Sequence, residues 1–111
     1  MPARPQSVSV YRAGDQVRNE EWLARLEEAA DRLELSTAAR SRARDLFLST
    51  VPDAERSKPA AVAAALYAGA LVEGDRRSQA AVADAVGVAR LTVQGRWKEV
   101  LQTAGLEPPA W

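Results

Sequence analysis

The stretch from Pro59 to Val72, PAAVAAALYAGALV, carries no charge on any face. Read as a helix, it is apolar all round, and such a helix must be surrounded by protein. It is too short to cross a bilayer, which takes about 20 apolar residues. The remaining option is a central helix buried by other helices of the same chain. Its alanines and Gly69 keep the surface low, so that neighbouring backbones can come close. Pro59 suits the first turn, where its missing N–H costs nothing. Tyr67 falls in the core, where its hydroxyl needs a partner.

The neighbours are legible as amphipathic patterns. Asp15 to Leu35 places Val17, Leu23, Leu26, Ala30 and Leu33 at helical spacing, with Glu20, Glu27, Glu28, Asp31 and Glu34 opposite. That acidic side reads as a solvated face. Ser36-Thr37 caps a second helix running to about Thr50, with Ala39, Ala43, Leu46, Phe47 and Val51 inward and Arg40, Arg42 and Arg44 elsewhere. Val51-Pro52 stops it, because the residue before proline avoids helical angles. PDAERSK connects to the central helix, and Glu73-Gly74-Asp75 turns out of it. Ser78 caps a short helix, Gln79 to Val86, which Gly87 ends. A last helix covers Arg90 to Thr103, and Gly105 stops it. Residues 1–14 read as a flexible arm, with a strand around Tyr11 as the alternative, and 105–111 as a surface tail. The expected fold is therefore all-α, with one helical domain at 15–104.

Composition narrows the function. The chain has no histidine and no cysteine. That removes disulfides, Cys/His zinc sites, haem ligation by histidine and any Ser-His or Cys-His pair. Glu20-Glu21 and Glu27-Glu28 have the spacing of helix surfaces rather than of acid–base pairs. No glycine-rich phosphate loop is present. The expectation is no enzyme, no cofactor and no metal. The first residues lack the apolar core of a signal peptide, so a soluble cytoplasmic protein is expected, with no membrane partner.

The segment 78–103, SQAAVADAVGVARLTVQGRWKEVLQT, reads as a helix-turn-helix. Val82, Ala83 and Val86 face inward on its first helix, and Ala83 is small where the second helix crosses. Gly87 makes the turn and Val88 fills the gap. Val93, Trp97 and Val100 anchor the second helix. Leu91, Gln94, Gly95 and Lys98 then share an outward stripe at i, i+3, i+4, i+7, the pattern of a helix that enters a major groove. From Arg76 to Lys98 there are four arginines and one lysine against Asp84 alone, a local surplus of four positive charges in a chain of net charge zero. Such a patch is an electrostatic footprint for phosphates. A helical hairpin with no nucleic-acid role has a similar pattern.

The run from Arg56 to Leu101 resembles the later part of a cyclin-like repeat of transcription factor IIB and its archaeal equivalent, transcription factor B. Three features carry the likeness, in order: Ala65-Leu66-Tyr67 in an alanine-rich helix begun by proline; Arg77-Ser78-Gln79 closing a polar loop; and Thr92-Val93-Gln94-Gly95-Arg96-Trp97-Lys98 in the last helix. A looser likeness extends over about 20–104. The resemblance implies a five-helix cyclin-like box with a buried central helix and a C-terminal helix-turn-helix. It implies a DNA-binding transcription factor or accessory regulator, with double-stranded DNA and basal transcription proteins as partners, and an archaeal source. Base contacts would come from Leu91 and Gln94. Phosphate contacts would come from Arg76, Arg77, Arg90, Arg96 and Lys98. The chain departs from the family pattern in four respects. Gln94 stands where an arginine is usual, and glutamine most naturally reads adenine. Gly95 replaces a polar residue. Ala89 holds a capping position. One repeat is present where the family has two, with no cysteines for a zinc ribbon.

The competing expectation is a protein–protein interaction module without direct DNA binding, since cyclin boxes also take peptides and helices. It would use the acidic first helix and Trp22 or Trp111, or pair with a second copy as a homodimer. Trp97 is expected in the core. Trp22 fits either a core edge or an interface.

Overall fold

A computed structural model of the chain describes residues 19–109. The expected N-terminal arm, Val17 and Trp111 lie outside these residues. Among the described residues there are five α-helices and no strand: α1 Glu20–Leu33, α2 Thr37–Thr50, α3 Lys58–Val72, α4 Gln79–Val86 and α5 Arg90–Thr103. A single 3₁₀ turn, Glu55–Ser57, leads into α3. This is the all-α, cyclin-like architecture.

Local chemistry explains the boundaries. The Ser36 hydroxyl accepts from the Ala39 amide at 3.1 Å and starts α2, and the Ser78 hydroxyl accepts from the Ala81 amide at 3.0 Å and starts α4. Four helices end alike, in a left-handed residue after which an amide reaches back five residues. Gly74 (φ 74°), Gly87 (φ 93°) and Gly105 (φ 83°) serve α3, α4 and α5. The amides of Asp75, Val88 and Leu106 return to the carbonyls of Ala70, Ala83 and Leu101. At α1 the left-handed residue is Glu34 (φ 55°), and Leu35 returns to Ala30. Sequence pattern carried this helix to Leu35. It stops at Leu33 because Leu35 folds back as a buried plug.

Every residue from Ala61 to Ala70 is buried, so α3 is the central helix. It packs against all four others, α2 most extensively and α5 next. At Gly69 a Cβ would stand 2.8 Å from the Ala43 nitrogen and 2.9 Å from its Cα. The α2 and α3 backbones therefore touch there, with no side chain between them. On the other side, Tyr67 meets Trp97 edge to face, with centroids 5.2 Å apart and planes at 68°.

Two surface features acquire partners in the fold. The acidic side of α1 is answered by α2: Arg40 pairs with Glu27 and Asp31, and Arg44 with Glu27. Trp22 is a core residue, 7% exposed, whose indole N–H donates to Glu55 Oε2 at 2.8 Å. The connector between α2 and α3 thus supplies its polar partner. The Trp22 indole, with Lys58 second, holds the Glu55 carboxyl below its ordinary pKa. At the other end of the chain, Leu106 is half-buried against the core.

Candidate nucleic-acid interface

The two helices of the candidate interface are held by their inner faces. Val82, Ala83 and Ala85 of α4 are buried, as are Val93, Trp97, Val100 and Leu101 of α5. Val86, expected inward, is half-buried, and Ala85 takes the deeper place. Gly87 makes the turn, and Val88 packs half-buried against the core. These anchors fix which side of α5 faces out.

Leu91, Gln94, Gly95 and Lys98 are all exposed on that side. Leu91, 67% exposed, is a bare aliphatic side chain on an otherwise polar surface. Arg90 joins them by donating from Nη1 to Gln94 Oε1 at 3.0 Å. The Lys98 ammonium lies 5.5 Å from the centroid of the Trp97 ring, close enough for a cation–π attraction. No side chain caps α5, because Ala89 stands at its N-cap.

The remaining basic residues are not gathered on this stripe. Arg96 lies on the flank of α5, lining a groove with Thr50, Ala61, Glu99, Val100 and Thr103. Glu99, one residue beyond the basic segment, is on that flank as well and leaves the stripe without an acid. Arg76 is exposed in the loop before α4. Arg77 is half-buried, and its guanidinium works inside the molecule. It donates to the Leu33 carbonyl at 2.9 Å, the Glu34 carbonyl at 3.1 Å and the Asp75 carboxylate at 2.8 Å. Asp75 also accepts from the Ser36 amide at 2.8 Å. The Ser36 amide, then Arg77, holds the Asp75 carboxyl below its usual pKa. This knot ties the C-terminus of α1 and the start of α2 to the loop that launches α4. Nothing in the spacing of Asp75 or Arg77 announces it, since their partners are about forty residues away. The Arg90–Gln94 pair, by contrast, was open to i, i+4 spacing.

Among the described residues, no group of three or more Asp, Glu, His or Cys is placed to hold a metal ion. No described helix is long and apolar enough to cross a membrane.

Comparison with known proteins bears on the same segment. The family described as "Transcription factor TFIIB repeat" matches residues 21–103, which takes in all of α2 to α5 and nearly all of α1. The chain belongs to the TFIIB repeat family. It is 36% identical over 83 residues to "Transcription initiation factor IIB" of Pyrococcus abyssi, covering 72% of this chain and 28% of that protein. The same figures hold for "Transcription initiation factor IIB 1" of Thermococcus kodakarensis. To "Transcription initiation factor IIB" of Methanopyrus kandleri it is 42% identical over 50 residues, 44% of this chain and 16% of that protein. These relatives are archaeal. The TFIIB repeat seen here thus spans under a third of the length of the first relatives it matches. As a member of this family it is related to transcription initiation factors.

Proposed function

We propose that this TFIIB repeat acts in transcription by reading duplex DNA through α4 and α5. The observation that carries the proposal is the exposed stripe of Leu91, Gln94 and Lys98, itself free of acids, on the second helix of a helix-turn-helix whose Val93, Trp97 and Val100 are buried. Leu91 supplies an apolar contact of the kind that meets a thymine methyl, and Gln94 supplies hydrogen bonds to a base edge. Arg90, bonded to Gln94, holds its amide in place and reaches toward phosphate. Lys98 on the stripe and Arg76 in the loop before α4 contact phosphates. Arg96 contacts them from the flank. Arg77, engaged inside the protein, contributes by positioning the loop that carries Arg76. Basal transcription proteins are the natural protein partners of such a factor, and the cytoplasm of an archaeal cell is where it would meet DNA.

Of the features named for the interaction-module alternative, Trp22 is buried and two of the α1 acids, Glu27 and Asp31, pair with α2 arginines, while Trp111 lies outside the described residues. Nor do the described residues offer a broad apolar face for a homodimer: Leu91 and Val72 are the large hydrophobics exposed there.

The test is a fluorescence titration with a labelled random-sequence duplex, at low and high salt. Binding that weakens steeply with salt is expected, and Lys98→Glu or Arg76→Glu should weaken it for every sequence and flatten the salt slope by about 1 or more each. Enrichment of bound sequences from a random pool should then differ between the parent and Gln94→Arg. Salt-insensitive binding, or none, would refute the proposal.

A further inference from the structure

Among the described residues nothing requires a glycine at position 95. It sits inside α5, where glycine weakens a helix relative to alanine. Glycine is normally kept in such a place for a positive φ or for a close internal approach. The positive-φ glycines among the described residues are Gly74, Gly87 and Gly105, so Gly95 does not need the first. A Cβ built at Gly95 would meet nothing within 4 Å, so it does not need the second. Gly69 shows the contrast, with Ala43 backbone atoms inside 3 Å.

Two further choices on the same helix also work against stability. Ala89 leaves α5 without a side-chain cap, although α2 and α4 both have serine caps. Leu91, one turn before Gly95, leaves a large apolar side chain in water at 67% exposure. Gly95 lies with Leu91, Gln94 and Lys98 on the exposed side. Departures from local helix rules that converge on one surface mark where a chain gives up stability for function.

We infer that Gly95 is a close-approach point, where the α5 backbone lies in van der Waals contact with the bound duplex and leaves no room for a side chain. The inference rests on the duplex-reading function above and names the residue that sets how deeply the helix seats. The dimensions favour it. A major groove is about 12 Å wide, and a helix with its side chains is about 10–12 Å across. With so little slack, one methyl group on the inserted face changes the depth of insertion. A seat that deep brings Leu91 and Gln94 to the base edges, and a shallower one leaves them short.

The experiment compares the parent chain with Gly95→Ala and Gly95→Gln. The probe is a duplex carrying the sequence the parent enriches from a random pool. Both variants should fold, and Gly95→Ala should melt about 4–8 °C higher. Both should bind the probe about ten-fold or more weakly, with Gln at least as weak as Ala. Either variant binding as tightly as the parent would overturn the inference and leave the duplex-reading function standing. A lower melting temperature for Gly95→Ala would also overturn it, because it would reveal an internal role for the glycine. A parent that binds no duplex would instead overturn the proposed function, and this inference with it.

Discussion

The contact between α2 and α3 makes the sharpest stability prediction. Gly69→Ala adds one carbon to the face of α3 that crosses α2. That carbon would stand 2.8 Å from the Ala43 nitrogen, 2.9 Å from its Cα and 3.1 Å from its Cβ. The nearest obstacles are backbone atoms inside a helix, which cannot rotate away, so the helices must part. Overpacking of this kind costs about 1–3 kcal/mol, and the rigidity of the obstacle puts the cost at the upper end. Alanine recovers about 1 kcal/mol of helix propensity. The net loss is about 2 kcal/mol, or a fall of about 8–16 °C in melting temperature for a domain of this size. Urea unfolding followed by circular dichroism gives the free energy directly. Gly95→Ala, with open space around it, is the matched substitution of opposite sign. A double-mutant cycle sharpens the test: because the two shortest distances are to backbone, Ala43→Gly should not rescue Gly69→Ala. A neutral Gly69→Ala, or full rescue by Ala43→Gly, would refute the claim that backbones touch there.

Three other substitutions follow from single positions. Glu34 holds a left-handed conformation, so Glu34→Gly should stabilise the fold by about 1 kcal/mol in urea unfolding. Ala89 already has the extended backbone of an N-cap, and Ala89→Ser should gain about 1 kcal/mol in the same assay. The Asp75 carboxyl is held below its ordinary pKa by the Ser36 amide and Arg77. Its stabilising effect is therefore present above the pKa of the unfolded chain and is lost as pH falls through the lower folded value. Asp75→Asn should melt lower than the parent at neutral pH, with the gap closing in strong acid; a gap that persists unchanged at low pH would exclude the ionised carboxylate as its cause.

Much of the fold was legible because it rests on local rules. An uncharged alanine-rich segment can only be buried, Ser36 and Ser78 are caps, and Gly74, Gly87 and Gly105 are stops. The last helix had its inner and outer sides assigned from Val93, Trp97 and Val100 alone. Helix ends decided by tertiary contacts were not legible. Glu34 gives no sign of a left-handed stop; the stop comes from Leu35 reaching back into the core. Trp22 could not be placed from spacing, because its polar partner Glu55 sits 33 residues away. At the interface, the stripe was legible from the 3.6-residue period. The division of labour among the arginines was not, since it depends on which carbonyls and carboxylates the fold brings to each one.

That division explains how a chain of zero net charge can still present a cationic face. Arg40, Arg42 and Arg44 pair with Glu27, Asp31 and Glu73 around the α1–α2–α3 side. Arg32 donates to the Ala85 carbonyl at 2.8 Å, near the end of α4, and Arg77 fastens the loop before it. These cations meet acids or helix-end carbonyls within the fold, and their fields are largely spent there. Arg90 and Lys98 instead have Gln94 and the Trp97 ring as contacts on α5, where Glu99 is the one acid. Exposed pairs contribute little to stability individually, so the sorting matters more for the field outside the protein than for holding it together. An approaching polyanion meets paired charge over α1 and α2 and a net positive charge over α5. The local surplus, rather than the whole-chain sum, then sets the approach. Reversing a pair outside α4 and α5, as in Arg40→Asp with Asp31→Arg, keeps the local sum and should leave duplex binding unchanged. If that swap weakened binding as much as Lys98→Glu, the field would not be local to α5, and the orientation assigned to the interface would have to be abandoned.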